Sequence, residues 1–155
     1  MNQDPVFSTS EILDRAENYC KSRGTRLTDK RKKVLKGLVD SKKAMSAYEL
    51  ADYCRDELDF QLPPMSVYRI LDFLESEHLV HRLDLAKKYV ACSHITCDHQ
   101  HEQPQFLICK GCYRVREISI KRGLMNSLNE SVAKVGFSLA SQQLEFDCLC
   151  GDCSG

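Results

Sequence analysis

The 155-residue chain lacks the marks of several protein classes. Its first residues, Met1-Asn2-Gln3-Asp4-Pro5, have neither the basic start nor the apolar stretch of a signal peptide, and no apolar run approaches the roughly 20 residues of a membrane span. A soluble, cytoplasmic protein with no membrane partner is therefore expected. Hydrolase signatures of the H-E-x-x-H and G-x-S-x-G kinds are missing. A nucleobase deaminase needs H-x-E followed by P-C-x-x-C, but Glu102 has Gln100 two residues before it and Cys109 follows Ile108. These gaps point away from an enzyme and from a small-molecule substrate. Nine cysteines, an odd number, fit a disulfide framework poorly. In a reducing compartment they read as metal ligands or buried apolar residues.

Net charge is also lacking, with 22 basic and 22 acidic residues, yet the balance is local only on average. Between Cys20 and Lys43 ten basic residues face two acids, Asp29 and Asp40. An isolated basic run is ordinarily a solvated helix face, and it becomes a polyanion-binding surface only on a matching fold.

The apolar spacing supplies such a fold. Ser8 and Glu11 form a capping box ahead of Ile12, Leu13, Ala16, Tyr19 and Cys20, which predicts a helix ending at Gly24. Thr28 caps a basic second helix with Val34, Leu35, Leu38 and Val39 inward. Ser46 and Glu49 open a third, which buries Ala47, Leu50, Ala51, Cys54 and Leu58. Pro63-Pro64 stops the chain and restarts it as a fourth, with Val67, Ile70, Leu71 and Leu74 inward and Tyr68 and Arg69 outward. Leu79 to Leu85 and Tyr89 to Cys92 then read as a hairpin. Helices followed by a hairpin predict a winged helix-turn-helix, whose recognition helix begins near Ser66 and enters the major groove of DNA. The wing and the basic second helix are expected to hold phosphates.

The class expected is thus α+β: a winged helix-turn-helix over 1–92, a His-rich linker over 93–105, and a small α/β dimerisation domain over 106–155. Strands are predicted at Phe106 to Cys109, Val115 to Ile120 and Leu139 to Phe146, around a helix with Leu124, Leu128, Val132 and Val135 inward. A unit so small calls for a metal staple, a dimer, or both.

Cys109-x-x-Cys112 and Cys150-x-x-Cys153 flank that domain. Each two-residue spacing lets a pair of thiolates converge on one cation, and two pairs complete a closed tetrahedron, the arrangement of structural zinc. A redox pair would need one such motif only, and four unrelated buried cysteines are the remaining alternative. All five histidines lie from His78 to His101, with Cys92 and Cys97 among them, which favours a second metal site at the junction of the two domains.

Arg26-Leu27-Thr28, Ser46-Ala47-Tyr48-Glu49-Leu50, Pro64-Met65-Ser66-Val67-Tyr68-Arg69, and the two C-x-x-C pairs in this order together resemble the ferric uptake regulator family, most of all its zinc uptake regulator branch. The resemblance implies a homodimeric, metal-dependent repressor of palindromic operator DNA with two zinc ions per chain. It puts structural zinc on Cys109, Cys112, Cys150 and Cys153. It puts regulatory zinc on His81, Cys92, His101 (with His99 as the alternate) and Glu117. Tyr68 and Arg69 match the residues that enter the groove, with Ser66, Tyr48, Arg26, Lys32 and Lys33 as further DNA contacts. Iron sensors of the family carry an H-x-H-type cluster where this chain reads Gln103-Pro104-Gln105, and a thiolate ligand suits zinc better than a hard iron or manganese site. The alternatives are an iron or manganese regulator of the same family, a redox or peroxide sensor, and a purely structural zinc protein serving as a protein-interaction module.

Overall fold

A computed structural model describes residues 6–93, 95 and 105–155. The chain divides into two compact units, 1–99 and 100–155.

The first unit is built by its caps and apolar stripes. Helix α1 (Thr9–Ser22) starts where Ser8 Oγ accepts the Glu11 N–H at 3.3 Å while the Glu11 carboxylate accepts the Ser8 N–H at 2.8 Å. It ends at Gly24, whose φ of +78° is open to glycine without strain. Helix α2 (Asp29–Ser41) is capped by Thr28, and α3 (Ala47–Glu57) by a second capping box, Ser46 with Glu49. Helix α4 (Pro64–Ser76) starts with proline at its first position, where the missing N–H has no partner to lose. Leu35, Leu38, Leu50, Val67, Leu71 and Leu74 meet in one buried core. Each contributes about 1.5–3 kcal/mol by leaving water. Gly37 lets α2 approach α3 closely, since a Cβ there would lie 3.0 Å from Leu50 Cδ1.

Strands β1 (Val80–Leu83) and β2 (Lys88–Ala91) form the antiparallel wing. It is shorter than the hairpin expected, because Asp84 to Lys87 make the turn and Lys88 already pairs with Leu83. Met45, just before α3, joins β2 as a single bridge: its N–H donates to the Tyr89 carbonyl at 3.0 Å and Tyr89 returns the bond at 2.8 Å.

The second unit is a three-stranded sheet in the order β4-β3-β5, with β3 Gln105–Cys109, β4 Val115–Ile118 and β5 Glu145–Cys148. β4 runs antiparallel to β3, and β5 parallel to it after the crossover helix α5 (Arg122–Lys134). Four expectations need correction. Gln105, expected in the linker, opens β3 and is buried, and its side chain holds the returning chain by donating to the Gln142 carbonyl at 2.9 Å and accepting the Leu144 N–H at 2.6 Å. That clasp takes the place of strand pairing, so the expected strand from Leu139 forms only from Glu145. β4 stops at Ile118 because its partner there, Gln105, is the first residue of β3. The stripe of α5 is not buried within the chain: Leu124 is 63% and Val135 71% exposed, with Phe137 beyond them at 72%.

Candidate metal centre and nucleic-acid face

β3 delivers Cys109 to the sheet end, and the turn after it brings back Cys112. The parallel neighbour β5 runs on to Cys150, which caps the short α6 (Gly151–Ser154) carrying Cys153. Parallel pairing of Cys109 with Cys148 is what sets the two motifs side by side. The four sulfurs lie within 4.8 Å of one another. Cys112 Sγ and Cys150 Sγ are 3.7 Å apart, and the edge of a tetrahedron with Zn–S bonds of about 2.3 Å is about 3.8 Å. A Cβ on Gly111 would stand 2.8 Å from Cys153 Sγ, so the knuckle closes over the sulfurs only because glycine is there. The donor set and spacing therefore fit a tetrahedral thiophilic cation.

Electrostatics agree with that reading. The N–H of Cys150 donates to Cys109 Sγ at 3.3 Å, and this bond, with others from the backbone of the first knuckle, lowers the Cys109 thiol to about 6. Cys153, among the other sulfurs, is pushed up to about 12. Clustered thiols resist sharing negative charge until a cation neutralises it. Arg114 (3.2 Å from Asp152) and Lys110 (3.3 Å from Asp147) tie the first knuckle to the β5–α6 segment.

On the wing of the first unit His81 lies in β1 opposite Val90, and Cys92 follows β2 with its N–H on the Leu79 carbonyl at 2.9 Å. The two side chains share one face of the hairpin as diagonal neighbours. A ring nitrogen of His81 and Cys92 Sγ fall within 4.8 Å, with Cys92 buried and His81 half-buried. Glu117 is half-buried on β4 of the second unit, opposite Phe106. His101 and its alternate His99 lie outside the described residues, as do His94 and Cys97.

The helix-turn-helix presents Tyr68 and Arg69 outward from α4, with Ser66 half-buried beside them. Tyr48, 62% exposed at the start of α3, meets the Tyr68 ring. The basic run is divided in its duties. Lys32 pairs with Glu17 at 2.6 Å, Lys36 with Asp40 at 2.8 Å, and Arg23 with the buried Glu77 at 2.8 Å. Arg31 lies 3.6 Å over the Phe73 ring and Lys33 4.0 Å over Phe60. Arg26, Lys30, Lys42 and Lys43 stay exposed. Charge counting does not separate these roles, because Glu17, Glu77, Phe60 and Phe73 come from outside the run and only Asp40 lies within it. Gly111 carries a single sequence signal, a residue without Cβ inside a C-x-x-C, and its role shows only once Cys153 is folded against it.

Among the described residues no helix is long and apolar enough to cross a membrane. Residues 22–147 match the sequence profile of the ferric uptake regulator family. The zinc uptake regulation protein of Escherichia coli K12 is 36% identical over 146 residues, covering 94% of this chain and 83% of that one. Among solved structures, a zinc uptake regulator complexed with zinc and DNA superposes with a TM-score of 0.80 at 34% identity, over 96% of this chain and 97% of that one. The crystal structure of holo XcZur gives 0.74 at 35%, over 95% and 99%. With a winged helix-turn-helix, a four-cysteine centre and these likenesses spanning nearly its whole length, the chain belongs to the ferric uptake regulator family.

Proposed function

We propose that this protein is a zinc-responsive transcriptional repressor of the cytoplasm, binding operator DNA as a homodimer when its regulatory site is filled and so silencing genes of zinc uptake. The observation that carries the reading is the placement of a histidine and a thiol on the wing of the unit that also presents Tyr68 and Arg69. An imidazole and a thiolate suit zinc, and a metal held there acts on the DNA-reading unit itself. Glu117 and His101, or His99 in its place, complete the proposed ligand set, and Cys109, Cys112, Cys150 and Cys153 hold a second, permanent zinc. Arg69 reads a guanine edge, Tyr68, Tyr48 and Ser66 lie in or beside the groove, and Arg26, Lys32 and Lys33 face phosphates. The uncovered stripe of α5 supplies apolar surface for the partner protomer. Zinc supplies charge neutralisation and fixed bond angles, and it shifts the protein toward its DNA-competent form only by binding that form more tightly. The burial of Cys92 sets it apart from a peroxide-sensing thiol, which must be accessible.

The test measures zinc content and DNA binding together. The purified protein should hold two zinc ions per chain, one lost to mild chelation along with DNA binding and regained with it. One ion per chain with binding indifferent to chelation would overturn the regulatory role.

A further inference from the structure

We infer that Lys88 and Glu49 are positioning residues: their ion pair fastens the outer end of the wing to the first turn of α3, so that the hairpin bearing His81 and Cys92 and the DNA-reading helices move as one body. The inference rests on the zinc-responsive reading above.

The inner face of the hairpin is held by burial along its length, at Val80 near the base and at Tyr89 and Leu83 toward the turn. Its outer end has a separate fastening. β2 lies between β1 and Met45, bonded to Met45 in both directions through Tyr89. One residue before Tyr89, the Lys88 ammonium reaches both oxygens of Glu49, at 3.0 and 3.1 Å. The same carboxylate accepts the Ser46 N–H at 2.9 Å, so one group closes the cap of α3 and anchors the wing. Tyr48, beside Glu49, meets Tyr68 of α4 edge-on. A continuous set of contacts therefore runs from the strands of the candidate ligands to the recognition helix.

Lys88 would ordinarily be assigned to a phosphate, as a lysine on a wing. Its side chain is only 18% exposed and spends its charge on Glu49. The two assignments make opposite forecasts for Glu49. If Lys88 is a phosphate contact, neutralising Glu49 frees it and strengthens DNA binding. If the pair is a fastening, neutralising either partner loosens the wing and weakens binding.

The experiment uses the full-length, zinc-loaded protein and a DNA fragment that the wild type selects from a random pool in excess zinc. E49Q keeps the cap, since glutamine serves that position, and K88M keeps the length of the stem. Each should lose about two- to fivefold in affinity, the scale of a partly exposed ion pair. The double variant should lose no more than the weaker-binding single one, because both remove one interaction. K88R should stay near wild type, and zinc affinity by chelator competition should be unchanged throughout. Tighter binding by E49Q, an unchanged E49Q beside a weakened K88M, or losses that multiply in the double variant would each overturn the fastening. If the wild type selects no DNA in a zinc-dependent way, the functional reading fails by itself. Amide exchange then decides the fastening: faster exchange at Met45 and Tyr89 in E49Q supports it, and unchanged rates overturn it.

Discussion

The ring of Tyr48 meets that of Tyr68 edge-on, with centroids 6.3 Å apart and planes at 84°. The pair joins the first turn of α3 to the exposed flank of α4, and each ring limits the rotamers of the other. Such a pair is worth about 0.5–1.5 kcal/mol beyond its buried area. Tyr48→Ala should therefore weaken operator binding about two- to tenfold, whereas Tyr48→Phe keeps the ring and should bind as the wild type. Tyr48→Ala should also melt a few degrees lower, as the loss of that pair requires, whereas Tyr48→Phe should melt with the wild type. A Phe variant as weak as the Ala variant would move the role from ring to hydroxyl.

Arg69 and the lysines of α2 should fail differently. Arg69→Ala should lose about 1–3 kcal/mol of discrimination against mismatched DNA while keeping salt-sensitive binding. Lys33→Ala should weaken all sequences alike and reduce the salt slope by about one. Lys32→Ala should weaken binding less than Lys33→Ala and lower the melting temperature slightly, since Glu17 on α1 already engages Lys32. Titrations at three salt concentrations on matched and mismatched duplexes check this, and equal loss of specificity in all three variants would sink the assignment.

Gly111 and Gly123 form a controlled comparison. Gly111→Ala would drive a methyl to 2.8 Å from Cys153 Sγ, whereas a Cβ on Gly123 meets nothing within 4 Å. Gly111→Ala should lose tightly held metal and lower the melting temperature. Gly123→Ala, in the first turn of α5, should keep its metal and melt at or slightly above the wild type. Metal retention after gel filtration, read beside calorimetry, separates the two. A Gly111 variant that keeps its metal would show that the knuckle does not need the space.

The two cysteine sites should part company on mutation. Cys109→Ser removes a buried ligand that ends the central strand, so the second unit and its dimer should unfold, metal binding and folding being coupled. Cys92→Ser should leave a dimer of near-wild-type circular dichroism that keeps one zinc and no longer gains operator affinity when zinc is added. Sedimentation and DNA titration at buffered free zinc test both. A folded Cys109→Ser dimer, or a Cys92→Ser variant that answers zinc normally, would reverse the roles.

Acid should destabilise the first unit in a defined window. Burial raises Asp40, but bonds from Lys36 and Thr9 overcome it and leave the carboxyl below its usual 3.8. Burial likewise raises Glu49, but the Ser46 N–H and the Lys88 ammonium outweigh it and leave the carboxyl below its usual 4.5. A depressed folded pKa means that the native state binds fewer protons than the unfolded one, so stability is full above the unfolded value and declines as pH falls through the folded one. The melting temperature should be flat from neutrality to about pH 5 and fall below it, and E49Q should show a shallower fall. A parallel fall in E49Q would remove Glu49 from the account.

The first four helices were legible because an N-terminal cap or proline and a stripe of period 3.6 coincide in each, with stops marked at Gly24 and at Pro63-Pro64. The four-cysteine centre was legible because spacing alone fixes which thiolates converge. The strand expected from Leu139 failed for a physical reason: alternation measures whether a segment fits a sheet, not whether a partner is available, and the Gln105 side chain occupies the backbone groups that a partner would use. The stripe of α5 was read correctly as apolar and wrongly as covered, since periodicity is the same whether the surface beneath belongs to one chain or two. The division of the basic run was illegible because Glu17, Phe60 and Phe73 reach it only through the fold.

With α5 closed by a second copy as proposed, the bareness of Leu124, Val135 and Phe137 ties this protein's integrity to its abundance. A unit that completes its apolar interior only with a second copy folds in a bimolecular reaction, so its unfolding midpoint rises with protomer concentration. Dilution acts on it as a denaturant would. Few copies would leave lone chains exposed to proteolysis, whereas many would bury one another and persist. Gene dosage therefore sets how much repressor survives to be counted, before any metal is sensed.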